Sequence, residues 1–264
     1  MALHPGAVLA LLRELRVGAS SEGPLVVEGP PALAESLRRD LAQGARPGAV
    51  RGGSPKGAEA FVLVLAGSVG EQEEEQLKLA HRNGVPTIAV LAGPGLEPRV
   101  PYVLATDVVS VQPGAGFPVA ELAAVIAGRL AEKGSALAAR VPVLRPAVSK
   151  QLVDTFSRRA AVVGAAVFIP GADHPVLALG QLRMVLRLAE THGVEIDRGR
   201  IPEIIGVIGA GYAWRGLARQ ALRYVPVAGF GVRATVAYTG TRAIGEAATR
   251  YFADRSPPSA SPKA

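Results

Sequence analysis

The spacing of hydrophobic and polar positions changes near the middle of the chain. Short apolar runs alternate with amphipathic stretches up to about residue 133, and longer apolar stretches of helical period follow. A run that is apolar at every position is typical of a parallel strand buried on both faces, and a period near 3.6 residues indicates a helix. The pattern therefore predicts an α/β half followed by an all-α half.

In the first half, the pattern predicts a parallel, Rossmann-like sheet. The predicted strands are 25–28, 61–66, 85–91 and 107–111, and the predicted helices are 7–16, 31–43, 71–83 and 118–132. The segment 44–59 is rich in Gly, Pro and Arg and is predicted to be a loop. Strands that alternate with helices favour an open parallel sheet covered by helices.

The second half is predicted to be a hydrophobic bundle of four helices. The predicted helices are 147–168, 174–192, 200–222 and 227–252. Gly193 ends the second helix, whereas Pro202 and Pro226 suit the first turns of the third and fourth. The resulting domains are an amphipathic helix (1–21), an α/β domain (22–133), a linker (134–146), a helical domain (147–253) and a disordered tail (254–264).

A degenerate phosphate-binding loop follows the first predicted strand. Residues 29–36 read Gly-Pro-Pro-Ala-Leu-Ala-Glu-Ser. Compared with the pattern G-x-x-x-x-G-K-[ST], Gly29 and Ser36 are kept, the second glycine is Ala34, and the lysine is Glu35. That lysine meets the β- and γ-phosphates, which a carboxylate would repel. The motif is therefore predicted to be vestigial, with no cofactor bound.

Two further nucleotide motifs are replaced in the same half. Ala92–Gly95 stands where small GTPases have Asn-Lys-x-Asp, and Arg51–Pro55 stands where they have Asp-x-x-Gly. With these replacements, residues 22–133 resemble an Era-like small GTPase that has lost its chemistry. The resemblance implies a degenerate GTPase fold that does not hydrolyse GTP. An unrelated Rossmann-like domain is the alternative, and it predicts no nucleotide chemistry either.

Several short motifs characterise the second half. They are residues 141–146 (Val-Pro-Val-Leu-Arg-Pro), 169–175 (Ile-Pro-Gly-Ala-Asp-His-Pro), 181–184 (Gln-Leu-Arg-Met), 214–219 (Trp-Arg-Gly-Leu-Ala-Arg), 225–229 (Val-Pro-Val-Ala-Gly) and 236–245. Together they resemble the YcjF-like family, a bacterial helical domain of unknown function that often follows a GTPase domain or sits in membrane proteins. The resemblance covers about residues 140–253 and implies an architecture, with Pro170, Gly171 and Asp173 at its motif turn.

Composition narrows the chemistry. The chain has no cysteine, which excludes disulfides, cysteine-ligated zinc and thiol catalysis. None of its four histidines has metal-ligand spacing, and no Ser/His/Asp pattern is present. Asp173 and His174 form either an acid/base pair or, as we favour, a helix cap. The acidic cluster in 71–75 is interpreted as a solvated helix start rather than a metal site. We therefore expect no catalytic or metal-binding residues.

The net charge of +7 points to anionic partners. Of the 29 basic residues 24 are arginine, which suits phosphate and carboxylate recognition, although a GC-rich genome gives the same bias. The sequence has no basic run interleaved with aromatic residues, so nucleic-acid binding is not expected. In two predicted helices arginines recur every four residues, at Arg183, Arg187, Arg215, Arg219 and Arg223. These arginines could contact anionic lipid or an acidic partner, or they could simply form a solvated face.

The helices are too short in apolar length for conventional spans. The longest uncharged run in the predicted C-terminal helices is 13 residues, 160–172, against about 20 for a span. A soluble or peripheral bundle is therefore favoured, with integral insertion left open. Arg13, Glu14 and Arg16 interrupt the N-terminal apolar stretch, so no signal peptide is expected and the chain is predicted to be cytoplasmic.

The function predicted from the sequence is that of a non-enzymatic scaffold. The chain is expected to act as a pseudo-GTPase-type interaction protein at or near the cytoplasmic face of the inner membrane, with an unidentified protein partner and an anionic membrane surface as candidate partners. The state of self-association stays open. The alternatives are a nucleotide-responsive switch that binds through backbone amides around Gly29, and a membrane-inserted remodelling or pore-forming module.

Overall fold

The computed structural model describes residues 23–93, 95–112, 114–166, 174–194 and 230–255. The chain divides into two compact units, whose described residues run from 23 to 148 and from 149 to 255. The predicted helices 7–16 and 200–222 and the tail from residue 256 lie outside the described residues.

The first unit is built on a five-stranded sheet in which every pairing is parallel. The strand order is β2-β1-β3-β4-β5. The strands are β1 (Leu25–Glu28), β2 (Val50–Arg51), β3 (Ala60–Leu65), β4 (Thr87–Leu91) and β5 (Val108–Ser110). All side chains of β3 and β4 are buried, as their continuous apolar runs require. The predicted parallel sheet is confirmed, and its order is that of a doubly wound fold.

Helices and short turns connect these strands. The helices are α1 (Pro31–Leu41), α2 (Glu71–Arg82), α3 (Val119–Leu130) and α4 (Gly134–Arg140), and 3₁₀ turns span Ala105–Asp107, Ala131–Lys133 and Pro142–Leu144. One core cluster joins α2 to the sheet, and it contains Val26, Phe61, Leu63, Leu65, Leu77, Ala80, Val85, Ala89, Leu91 and Val100. Gly84, with φ of +65°, follows α2 as predicted.

The structure differs from the sequence prediction at two places in this unit. β2 lies inside the predicted loop 44–59, because a two-residue strand is too short to show a period. Residues 134–146, predicted to be a linker, form α4, a 3₁₀ turn and the start of the next helix. Leu137, Val141 and Leu144 in this segment are fully buried. The helix in this segment is built mainly from small residues, which give too little polar contrast to reveal that it is packed.

Arg140 ties α4 into the first unit. Its guanidinium donates hydrogen bonds to the Gly23 carbonyl at 2.8 Å and to Glu59 Oε1 at 3.0 Å. The side chains of Arg140 and Glu59 are only 16% and 8% exposed. A carboxylate this far from water depends on its cationic partner, so the pair holds the segment before β3 against the end of α4.

We predict that Arg140→Met lowers the free energy of unfolding by about 3 kcal/mol, because Glu59 loses its buried cation. Arg99→Met is the matched control, since Arg99 is exposed, and we expect it to change stability by less than about 0.5 kcal/mol. Urea unfolding followed by circular dichroism measures both, and adding Glu59→Gln to Arg140→Met should recover part of the loss. Equal stabilities of the two single variants would contradict this account of residues 134–140.

The second unit is helical. Its described helices are α5 (Arg145–Ala166), α6 (His174–Thr191) and α7 (Phe230–Ala253), and the boundary between the units falls inside α5, after Val148. These helices lie where 147–168, 174–192 and 227–252 were predicted. A bundle of four helices stays a prediction, because the remaining helix lies outside the described residues. Within the ranges described, no helix combines the length and apolar character needed to cross a bilayer.

Gly245 brings the three described helices of this unit together. A Cβ atom at this position would lie 2.7 Å from Val153 Cγ2 on α5 and 3.1 Å from Met184 Sδ on α6. Gln181 on α6 also donates a buried hydrogen bond of 2.9 Å to Thr241 Oγ1 on α7. The absent side chain therefore permits close packing, and the amide–hydroxyl bond fixes the register of α6 against α7.

We predict that Gly245→Ala lowers the stability of the second unit by about 1–3 kcal/mol, because the added methyl group overpacks this contact. Gly180→Ala on α6 is the control. No atom lies within 4 Å of its Cβ position, so the gain in helix propensity should leave stability unchanged or raise it by up to about 1 kcal/mol. Thermal unfolding compares the two. A neutral Gly245→Ala would show that α7 does not pack as described.

Candidate functional site

The strand order places a candidate site outside the carboxyl ends of β1 and β3. In an open parallel sheet, ligands bind where the connections from neighbouring strands leave in opposite directions. In the order β2-β1-β3-β4-β5 that point lies between β1 and β3, and the sequence puts the degenerate phosphate motif there. The turn after β1 and the loop after β3 line this edge.

The turn after β1 is too short to form a phosphate-binding loop. α1 begins at Pro31, so Ala34, Glu35 and Ser36 lie within the helix rather than in a loop before it. Pro30 and Pro31 carry no N–H group, and the Ala34 N–H donates to the Pro30 carbonyl at 2.9 Å. The first turn of α1 therefore keeps only the N–H groups of residues 32 and 33 for a ligand.

Gly29 presses this turn against the neighbouring strand. Its φ is +140°, a conformation that side chains disfavour, and a Cβ atom there would collide with the carbonyl oxygen and Cβ of Val64. The glycine is therefore required by a close approach between two backbones. A phosphate loop instead uses glycine to let its backbone approach the phosphate.

Four residues close the end of β1, and we call Glu28, Arg38, Gly52 and Gly53 the β1 closure. Glu28 Oε1 accepts a hydrogen bond from the Gly53 N–H, and Arg38 donates to the Val27 carbonyl at 3.1 Å. A Cβ atom on Gly52 would lie 2.5 Å from Arg38 Nη1 and 2.9 Å from Glu28 Oε1. The chain's own carboxylate and guanidinium thus occupy this end of the strand.

The carboxylate of Glu35 also has a partner within the chain. Its Oε2 atom forms an ion pair with Arg38 Nη2 at 2.9 Å, one helical turn along α1. The side chain of Glu35 is 59% exposed, so this pair contributes little to stability. It does place a carboxylate where the consensus motif has a lysine, close to the β1 closure.

The loop after β4 also packs closely, against the end of β3. The Ala92 N–H donates to the Leu65 carbonyl at 2.8 Å, and a Cβ atom on Gly93 would lie 2.5 Å from the Ala66 carbonyl oxygen. These residues, which the sequence aligns with the base-reading motif of small GTPases, carry no polar side chain. The edge therefore offers backbone groups that already contact one another.

The acidic cluster at residues 71–75 serves the start of α2. Glu73 Oε2 accepts a hydrogen bond from the Gly70 N–H at 3.1 Å, and Glu74 pairs with Lys78 at 2.8 Å. The hydrogen bond with Glu74 and its charge raise the pKa of Lys78. Within the described residues, no three His, Asp or Glu side chains are grouped to hold a metal ion.

The arginines proposed for lipid or partner contact are not all at the surface. Arg187 is only 7% exposed and pairs with Glu190 at 2.9 Å, so little of its side chain faces solvent. Arg183 is half-buried and also interacts within the chain. Their spacing of four places both on one helix face, but that face is packed. Arg215, Arg219 and Arg223 lie outside the described residues.

The structure describes α6, which follows the motif turn, but not the turn itself. Pro170, Gly171 and Asp173 lie outside the described residues, and α6 begins at His174.

At the other end of α6, His192 is buried, and its Nε2 atom lies 3.3 Å from Ser149 Oγ. This contact joins the end of α6 to α5.

Sequence reasoning missed an exposed basic and apolar surface on α5. Arg158 and Arg159 are exposed, and Val162, one turn further along, is 68% exposed. The signal was an arginine pair directly before the uncharged run 160–172. A surface of this composition suits an anionic membrane interface.

A second polar network joins α5 to α7. Arg242 donates to Asp154 at 3.0 Å, to Glu246 at 2.9 Å and to the Tyr238 hydroxyl at 3.2 Å. The hydrogen bonds with Tyr238 and Glu246 raise the pKa of the Arg242 guanidinium. Elsewhere, in the first unit, the pKa of Arg145 is lowered mainly by the burial of its guanidinium and to a smaller extent by the nearby charge of Arg46. The Arg242 network holds α5 and α7 together.

Comparison of the chain with protein-family models, curated proteins and solved structures finds no match. The Era-like and YcjF-like resemblances therefore stay predictions, and the arguments about function rest on the geometry of the chain.

We predict that restoring the consensus residues with Ala34→Gly and Glu35→Lys does not create nucleotide binding. Both positions lie inside α1, the two prolines still lack N–H groups, and Glu28 still repels phosphate. Isothermal titration with GTP, GDP and ATP in the presence of Mg²⁺ should give no saturable heat for the variant or the wild type. Thermal unfolding confirms that the variant is folded. Binding by the double variant alone would show that a usable cradle is present.

Proposed function

We propose that the protein is a non-enzymatic interaction protein of pseudo-GTPase type that acts at or near the cytoplasmic face of the membrane. In this proposal, residues 22–133 are a degenerate Era-like GTPase domain that offers a docking surface. Residues 140–253 are a YcjF-like helical domain that contacts the bilayer or a partner. The two sequence resemblances suggested this arrangement, and the geometry of the first unit supports its non-enzymatic part.

The β1 closure is the observation that carries the proposal. Glu28 Oε1 accepts from the Gly53 N–H, and Arg38 donates to the Val27 carbonyl, so both side chains fill the β2 side of the strand end. A nucleotide at the neighbouring β1–β3 edge would find Glu35, paired with Arg38, in place of a lysine, and no N–H groups on Pro30 and Pro31. The sheet therefore supports docking better than phosphate chemistry.

The charge distribution supports the membrane part of the proposal. Residues 149–255 contain 14 basic and 8 acidic residues, whereas residues 23–148 contain 12 of each. Each Lys or Arg close to an anionic membrane surface contributes about 1 kcal/mol to binding. The exposed pair Arg158 and Arg159, next to the exposed Val162, is where the described part of the helical unit best suits such a surface.

A nucleotide-responsive switch is the competing function. It is favoured by the free N–H groups of Ala32 and Leu33 at the start of α1, which could face an anion. The titration of the wild-type chain with nucleotides separates the two functions. Saturable heat at micromolar GTP or ATP would contradict the pseudo-GTPase proposal, and its absence would remove the switch.

We predict that the purified protein floats with phosphatidylserine-containing liposomes at low salt, and that Arg158→Glu/Arg159→Glu weakens this binding roughly 30-fold or more. That factor corresponds to about 2 kcal/mol for two lost cations, and charge reversal adds repulsion. Arg82→Glu/Arg99→Glu in the first unit is the matched control and should float like the wild type.

High salt should release the protein from the liposomes, because surface charge attraction is screened. Failure to float at low salt would contradict the membrane part of the proposal. Flotation that survives alkaline carbonate would instead favour the membrane-inserted alternative.

A further inference from the structure

An open groove runs along the outer edge of the sheet, between α1 and β2. Its volume is about 510 Å³, and it is lined by Glu35, Arg38, Arg39, Ala42, Val50, Arg51 and Gly52. The groove shares Arg38 and Gly52 with the β1 closure and lies on the β2 side of β1. The β1–β3 edge, where a nucleotide would sit, is on the other side of β1.

Among the described residues, nothing pairs with the outward side of the sheet edge beside this groove. β2 is the outermost strand, and Val50 lies opposite Leu25 of β1. The Ala49 carbonyl accepts from the Leu25 N–H at 2.8 Å. Alternate residues of a parallel strand bond to the same neighbour, so the N–H and C=O of Val50 face away from β1. Such an edge can pair with a further strand.

The groove carries an excess of positive charge. Glu35 is its one acidic lining residue and is paired with Arg38. In the described part of the chain, Arg39 forms no ion pair, and Arg51 bonds only to the Gly52 carbonyl, at 3.4 Å. Both side chains are exposed, so two guanidinium groups stand available beside the free edge.

We propose that this groove binds an extended acidic peptide segment of a partner protein, which adds to β2 as a sixth strand. The inference rests on the proposed docking function of the α/β unit and names the class of partner. Main-chain hydrogen bonds to Val50 supply affinity, and acidic side chains at every second position reach Arg39 and Arg51.

The groove suits a peptide better than a free phosphate. A peptide presents both N–H and C=O groups, which match the donor and the acceptor of Val50. A free phosphate near neutral pH carries O–H groups as well as acceptors, but it has no extended row of alternating donors and acceptors and cannot pair with the edge as a strand does. Because both the backbone edge and the two arginines contribute, binding requires an extended acidic chain.

Fluorescence anisotropy with labelled octapeptides tests the inference on the full chain. The probe is an acetylated peptide of four Glu-Val repeats, and the controls are the Lys-Val peptide and an acidic peptide N-methylated at every second residue. We expect saturable binding of the Glu-Val peptide at low salt and none of the Lys-Val peptide. N-methylation should weaken binding roughly fivefold or more, because it removes main-chain donors.

Variants of the chain separate the two contributions. Arg39→Glu/Arg51→Glu should weaken binding roughly tenfold or more, whereas Arg82→Glu/Arg99→Glu should leave it unchanged. Val50→Pro removes an outward N–H and no bond to β1, so it should weaken binding while the unfolding temperature of the variant confirms that it is folded.

Failure of the Glu-Val peptide to bind would overturn the inference, as would binding that neither N-methylation nor Arg39→Glu/Arg51→Glu changes. Displacement of the peptide by equimolar inorganic phosphate would overturn it in favour of a simple anion site. These outcomes are independent of the proposed function. A missing peptide interaction without nucleotide heat removes the groove alone, whereas nucleotide heat removes the pseudo-GTPase proposal.

Discussion

The contact between the Gly29 turn and Val64 is the constraint on which the first unit's functional edge depends. The turn lies directly against β3 and α1 begins at Pro31, so the residues that would form a phosphate loop are part of the helix. Two prolines at that start remove N–H groups, and Glu28 with Arg38 fills the adjoining strand end. Backbone geometry, hydrogen bonding and charge thus all close the edge that a doubly wound sheet usually offers to a ligand.

Closing this edge changes which surfaces are available. Arg38 takes part in the closure and also lines the outer groove, so the same side chain seals one face of α1 and helps to shape another. Arginines elsewhere hold elements together, as Arg140 does with Glu59 and Arg242 with Asp154. Exposed arginines at the groove and on α5 can meet an anionic partner. Each compact unit thus offers its own candidate surface.

The sequence predicted the strands and helices with strong periods and missed those without one. The continuous apolar runs of β3 and β4 indicate buried strands, and the glycine after α2 indicates the end of a helix. β2 is too short for a period, and the segment ending at Arg140 looked like a linker because its helix is built from small residues. The burial of Arg187 was not predicted, because regular spacing shows a shared helix face but not whether a neighbouring helix covers it. The closure by Glu28 joins residues 25 positions apart, which no local pattern reveals.

Nuclear magnetic resonance of the ¹⁵N-labelled, deuterated wild-type chain tests the central claim most directly. The amide signals of Gly29, Ala32, Leu33 and Gly53 are followed while GTP and Mg²⁺ are added. A closed β1 edge predicts that these signals stay in place, because no phosphate reaches them and Gly53 remains bonded to Glu28. Saturable shifts of these four amides would contradict the account, since they would show that the edge opens to accept a nucleotide.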